Sequence, residues 1–168
     1  AERETFLARG GPPERVVTQP LGTASREFRE PPPEDAVVAA RATLGLEPWH
    51  KAVIWVGYPV PFKRIPMLFD VFARVAAKEP DARLVLIGDM SRSHDDLYAL
   101  RREMGLDETV VMYGPVPHAE LPAYYGLAGV FAMSSAYEGV PRVLMEASAA
   151  ALPLVGFDRV GVADVIED

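Results

Sequence analysis

Ala52-Val53-Ile54-Trp55-Val56-Gly57 is an unbroken apolar run closed by a glycine. A strand with one wet face alternates apolar and polar residues, whereas a run without alternation suits a strand covered on both faces, as in the interior of a parallel sheet. The segments around it repeat the theme. Residues 65–77 place Leu68, Phe69, Phe72 and Val75 at three- and four-residue spacing, which predicts a helix with one apolar face. Residues 83–88, 109–113, 130–133 and 154–156 predict further strands, and residues 95–104, 118–127 and 141–150 predict the helices between them. Alternating strands and helices imply an α/β fold, a Rossmann-like parallel sheet with helices on both faces. Ligands on such sheets bind beyond the carboxyl ends of the strands. Here those ends carry Gly57, Gly88, Gly114 and the 134–139 loop.

Upstream of the first long strand the signals are shorter. Residues 1–10 predict a short helix ended by Gly10-Gly11-Pro12-Pro13, and residues 1–14 read as a linker or the last helix of a preceding domain. The domain itself takes residues 15–168. Arg15-Val16-Val17-Thr18 predicts a brief strand, and Pro31-Pro32-Pro33 a stiff lead into a helix that runs to about Gly45, with Glu34 and Asp35 in its first turn. The chain opens on Ala1 rather than methionine, which we read as a piece of a longer polypeptide.

With 168 residues, 49% of them hydrophobic, the chain is long enough for one domain with a substantial core. No apolar run approaches the ~20 residues of a membrane span. The net charge of −7 argues against a nucleic-acid partner. The absence of cysteine excludes disulfides and thiolate metal sites and suits a cytoplasmic protein.

Chemistry concentrates at Tyr137-Glu138-Gly139-Val140-Pro141-Arg142-Val143-Leu144-Met145-Glu146-Ala147. A strand runs into a short loop and then a helix, with Pro141 suited to the first helical position. Gly139 allows a tight turn and close approach of a ligand. The free N–H groups of the first turn, together with the helix dipole, make an anion site. Glu138 precedes that site and Glu146 lies inside the helix among apolar neighbours, where an unpartnered carboxylate is costly. Hydroxyl donors such as a ribose diol would satisfy it. The alternative is a solvated stripe for Glu146 and a mere helix-opening role for Glu138, and spacing alone leaves both open. Lys63 and Arg64 stand before another helix start, unfavourable for cations unless an anion intervenes, which hints at phosphate. Taken alone, they read more readily as two solvated bases at a loop end.

Other motifs are missing. There is no G-x-G-x-x-G after a strand, no Walker pattern and no G-x-S-x-G elbow. His50, His94 and His118 show no metal-ligand spacing and read as surface or capping residues, Asp95-Asp96 and Glu167-Asp168 as solvated helix-end charges, and Trp55, Phe69 and Phe72 as core.

In order, several stretches resemble the nucleotide-sugar-binding C-terminal domain of glycosyltransferase family 4, also called group 1, one half of a GT-B fold. Gly22-Thr23-Ala24-Ser25-Arg26-Glu27-Phe28 falls where that family has N-G-V-D-x-x-x-F. Val56-Gly57-Tyr58 through Lys63 is similar to its V-G-R-x-x-x-x-K loop, and Leu84 through Asp89 to its second strand. Residues 110–121 resemble V-x-F-x-G-x-V-x-x-x-x-L, Ser135 through Glu146-Ala147 fits S-x-x-E-G and E-x7-E, and Leu152-Pro153 matches the helix-ending L-P.

The resemblance implies a retaining enzyme that uses a nucleotide-diphosphate sugar, with no metal and no further cofactor. It implies that Glu146 binds the ribose hydroxyls and that Glu138 sits by the donor sugar. Lys63, assisted by N–H groups around Gly139 and Val140, would neutralise the diphosphate, the backbone at Val116 would meet the base, and Gly57 would border the donor. An acceptor domain of the parent chain would complete the enzyme, with any membrane contact made through that part. The Pro117-His118 loop offers no carboxylate for the N1 and N2 protons of guanine, which favours UDP. Departures from the pattern are Tyr58 in place of the phosphate arginine, with Arg64 as its substitute, Leu21 and Ala24 in place of Asn and Asp, and Ala151 in place of the helix-ending glycine. Two alternatives follow: a non-catalytic nucleotide-sugar-binding or regulatory module, and an unrelated doubly wound domain with another cofactor.

Overall fold

A computed structural model describes residues 2–17, 26–139, 141–158, 162 and 166. Five parallel strands form one sheet in the order β3-β2-β1-β4-β5: β1 Lys51–Val56, β2 Ala82–Ile87, β3 Val110–Tyr113, β4 Ala128–Met133 and β5 Leu154–Gly156. Around them lie α1 Glu2–Ala8, α2 Arg26–Arg29, α3 Glu34–Thr43, α4 Ile65–Ala76, α5 Leu97–Glu103, α6 Leu121–Gly126 and α7 Arg142–Ala149. This is the Rossmann-like arrangement that the sequence predicts.

The apolar run of β1 is divided between two cores. Ile54 and Val56 join Val85, Ile87, Phe131, Leu121, Tyr125, Leu144 and Ala147 on the face of α3, α6 and α7. Trp55 joins Leu84, Leu86, Phe69, Phe72 and Leu97 on the face of α4 and α5. Successive strand residues thus feed opposite cores, which explains the missing alternation. The helices that lead away from β1 on its two sides lie on opposite faces, as right-handed crossovers require. Beside α4, over β4 and β5, this leaves an apolar trough of about 400 Å³ lined by Val71, Phe72, Val75, Val155 and Phe157 among others.

Two expectations need correction. Residues Pro13–Arg15 form a 3₁₀ turn, and Val16 and Val17 belong to no strand. Val16 is extended, with φ −129° and ψ 123°, but among the described residues it pairs with no strand; Thr18 lies outside the described residues. Pro141 stands one place before the helix, at its N-cap, with φ −75° and ψ 98°. Its carbonyl accepts from the N–H groups of Leu144 and Met145, so the ring shapes the entry to the helix rather than its first turn. Leu21 and Ala24 also lie outside the described residues.

β1, β2 and β3 end level, with Val56 opposite Ile87 and Ile87 opposite Tyr113. The next residues prolong the ladder: the Gly57 N–H donates to Ile87 O at 3.0 Å and the Gly88 N–H to Tyr113 O at 3.1 Å. Gly88 has φ +151°, and a Cβ there would meet the carbonyl oxygen of Gly57 at 1.9 Å. Only glycine lets the two backbones come this close. Ala151, after α7, has φ +56°, the left-handed backbone that the family's glycine would adopt without strain.

Two substitutions measure these positions. Gly88→Ala lowers the unfolding free energy in urea by about 2 kcal/mol or more, through overpacking and strain. Gly129→Ala, where a Cβ would meet only Ala52 O at 3.8 Å, serves as a control that shifts stability far less. Ala151→Gly raises stability by about 1 kcal/mol, because glycine occupies the left-handed region without steric cost; no gain would mean that residue 151 is not held there.

Candidate functional site

Past the level ends of β1, β2 and β3 opens a cavity of about 370 Å³, lined by Gly57, Tyr58, Gly88, Asp89, Pro115, Val116, His118, Arg142 and Glu146 among others. Three of the expected site residues, Gly57, Val116 and Glu146, come together in its wall. Each arrives on a different element, and the flush strand ends bring those elements to one rim.

Glu146 is only 4% exposed, which removes the solvated-stripe alternative. It lies in the second turn of α7, whose inner face also buries Leu144 and Ala147. Burial of a carboxylate demands partners, and two are present. Tyr125 of α6 donates its hydroxyl to Oε2 at 3.1 Å, and His118 places Nε2 3.2 Å from Oε1. Burial first, and then the charge of Glu146, push the Tyr125 phenol far above its usual range, so it remains a donor. Sequence reasoning did not single out Tyr125. The only hint was a tyrosine on a helix that also carries Leu121 toward the core.

His118 is exposed, as the surface reading has it, but it is also paired at both ring nitrogens. Its Nδ1 lies 3.2 Å from Oε1 of Glu27 in α2, so the ring stands between two carboxylates. Phe28 packs edge-on against it at 5.3 Å. His50 does act locally, accepting from the Glu47 N–H at 3.0 Å, and His94 is exposed. Among the described residues no group of three or more His, Cys, Asp or Glu could hold a metal ion.

Lys63 and Glu138 form a second cluster. Nζ lies 2.5 Å from Oε1, with the side chains 14% and 11% exposed, so Lys63 is not a solvated base. Two bonds between loops create the pair. Ala136 N–H donates to Phe62 O at 2.7 Å, and Ser134 Oγ donates to Lys63 O. Phe62 stacks on Tyr137 at 4.8 Å beside them. Glu138 is therefore more than a helix-opening residue. Arg64 is exposed, with φ 51°, and does not line the cavity. Gly139 is exposed, and a Cβ there would meet nothing within 4 Å; Val140 lies outside the described residues. At the position of the family's arginine, Tyr58 carries the guanidinium of Arg92 over its ring at 4.6 Å.

The cavity thus offers a buried acceptor at Glu146, the half-buried Val116 in its wall, and the cation of Arg142 at the start of α7. Such a set suits a polar ligand with hydroxyl donors at one end and negative charge at the other.

Residues 50–168 match the family model of the glycosyl transferases group 1. The D-inositol 3-phosphate glycosyltransferase of Segniliparus rotundus is 31% identical over 159 residues, covering 93% of this chain and 34% of that protein. The GDP-mannose-dependent alpha-(1-6)-phosphatidylinositol monomannoside mannosyltransferase of Mycolicibacterium smegmatis is 28% identical over 173 residues, covering 99% and 44%. In fold, the chain resembles the Anabaena protein HepE, solved in complex with UDP-glucose, with a TM-score of 0.85 at 21% identity over 100% of this chain and 45% of that one. The chain spans about a third of the first of these relatives, 34% of its length.

Removal of the Tyr125 hydroxyl isolates one partner of Glu146. Tyr125→Phe costs about 1–3 kcal/mol of stability, the usual penalty for a buried acceptor deprived of its donor. Urea unfolding at pH 7 reads the change, and an unaltered midpoint would show that Glu146 does not depend on Tyr125.

Proposed function

The chain belongs to the group 1 glycosyl transferases and has the Rossmann-like half of their GT-B fold, and on that footing we propose that it is the donor-binding half of a retaining hexosyltransferase. The donor is a nucleotide-diphosphate sugar, UDP rather than GDP. The acceptor binds to a part of the parent protein beyond this chain. One observation carries the reading: a carboxylate, Glu146, is buried in the wall of an open cavity at the carboxyl edge of the sheet.

In this reading the ribose hydroxyls donate to Glu146, whose carboxylate can accept further bonds beside those from Tyr125 at Oε2 and His118 at Oε1. The base rests against the backbone at Val116, and Gly57 leaves room for the donor. The diphosphate lies toward α7, where the N–H groups at Gly139 and Val140, the helix dipole and Arg142 meet it. Lys63 supplies a further positive charge. Its bond to Glu138 loosens as the diphosphate arrives, and Glu138 is then free to face the donor sugar. Arg64 contributes little, since it is exposed and not part of the cavity lining. Preorganised charge at the leaving diphosphate takes the place of a metal or other cofactor. The sugar keeps its anomeric configuration because acceptor and leaving group share one face.

A second reading, a non-catalytic nucleotide-sugar-binding module, is favoured by one feature: Tyr58 stands in place of a phosphate cation, and Lys63 is already neutralised by Glu138.

Calorimetric titration with UDP-glucose and GDP-mannose in the presence of a chelator tests the main reading. Saturable binding is expected, tighter for UDP-glucose, and Glu146→Ala weakens it about tenfold to a hundredfold, the worth of hydrogen bonds to a charged group. Binding of neither donor would overturn the reading, and a GDP preference would overturn the choice of base. In the parent enzyme Lys63→Ala abolishes transfer; retained transfer would exclude Lys63 from the reaction.

A further inference from the structure

We infer that Tyr125 is a positioning residue for the donor, fixing the Glu146 carboxylate from behind the cavity wall in the orientation that accepts from the ribose hydroxyls; the inference rests on the donor-binding reading above. Tyr125 is wholly buried and is not among the residues that line the cavity, so no ligand in the cavity touches it. Its hydroxyl nonetheless crosses from α6 to α7 and donates to Glu146 Oε2 at 3.1 Å. The ring that carries the hydroxyl is itself held, with Phe28 edge-on at 5.4 Å and Phe131 at 6.0 Å. The oxygen also stands 3.3 Å from Val143 O, but a phenol has one proton and serves one acceptor at a time. The carboxylate is the nearer of the two, and a bond to an ionised acceptor is the stronger. Burial, and then the charge of Glu146, keep the phenol protonated, so the donor is permanent.

A glutamate does not fix its own carboxylate plane, because its last torsion is broad. Two contacts fix this one, Tyr125 at Oε2 and His118 at Oε1, and they differ in kind. His118 is exposed and lines the cavity, so a ligand meets it together with the carboxylate. Tyr125 is out of reach and holds its oxygen whether or not a ligand is present. A carboxylate has about four lone-pair sites, so sites remain for hydroxyl donors, and the plane set by Tyr125 decides where they point. A diol engages them without further ordering of the protein, which is the gain of a preorganised site. The hydroxyl of Tyr125 therefore governs what the ribose hydroxyls add to affinity, and leaves the share of the base and the phosphates alone.

The test is calorimetric titration of wild type and Tyr125→Phe with UDP and with 2′,3′-dideoxy-UDP, which lacks both ribose hydroxyls. Wild type should prefer UDP by about tenfold or more, the worth of hydrogen bonds to a charged group. Tyr125→Phe keeps the ring between Phe28 and Phe131; it should bind the dideoxy compound as wild type does and lose most of the preference for UDP. An equal loss of affinity for both compounds would show a structural role only and overturn the inference. An unchanged preference would overturn it too, as would tighter binding of UDP, which would make the hydroxyl a competitor of the ribose. A second measurement needs no variant: the Tyr125 hydroxyl proton in wild type should resist exchange with water and keep its resonance on saturation with UDP, and its release on saturation would overturn the inference. Equal wild-type affinities for the two compounds would take the ribose away from Glu146 and overturn the inference while nucleotide binding stands. Binding of neither by wild type would overturn the donor-binding reading as well.

Discussion

Gly88 presses against the carbonyl oxygen of Gly57 with no room for a side chain between them, and this contact keeps the first residues beyond β1 and β2 in the sheet's own hydrogen-bond ladder. The strand ends are level because of it. A cavity whose lining comes from the loops after three strands and from the start of α7 exists only if those strands stop together. Were β2 to run on, its loop would carry Asp89 out of the rim. The shape of the cavity is thus set by backbone packing between two glycines, far more than by the side chains that line it.

The second constraint is electrostatic. α7 carries Glu146 into an apolar layer, and the cost of burial is offset by two donors from elsewhere in the chain, Tyr125 and His118. Lys63 and Glu138 solve the same problem differently, as a nearly buried ion pair at the mouth of the fold. One carboxylate is held by two partners in the wall of the cavity, the other by a single cation. Buried charge beside an open cavity is a feature of ligand sites, and here it is concentrated on one edge of one sheet.

Much of this was legible in the residues. The unbroken run at 52–57 announced a doubly covered strand, and the recurrence of that run with helical spacing between led to the parallel sheet. Glu146 stood out because an acid among Val143, Leu144, Met145 and Ala147 needs a reason. What stayed hidden depends on distance along the chain. The partners of Glu146 come from residues 118 and 125, and no local pattern links them to it. Lys63 and Glu138 read as separate features until the loops were seen to touch. Arg15-Val16-Val17 looked like a strand because β-branched residues favour extension, yet extension without a neighbouring strand has no ladder to join. Pro141 was misplaced by one residue, the ordinary scale of uncertainty at a helix boundary.

The bonds from Ala136 to Phe62 and from Ser134 to Lys63 also have a mechanical meaning. They rivet the loop after β1 to the loop after β4, so the two segments form one stiff lip whose parts share their fluctuations. A force that draws Lys63 outward is felt at Glu138 without any ligand touching it. Local opening of either loop breaks the same bonds, so the two segments unfold and re-form as one cooperative unit. The sheet edge is therefore bordered by a fixed floor at Gly57 and Gly88 and by a lip that moves as a single piece.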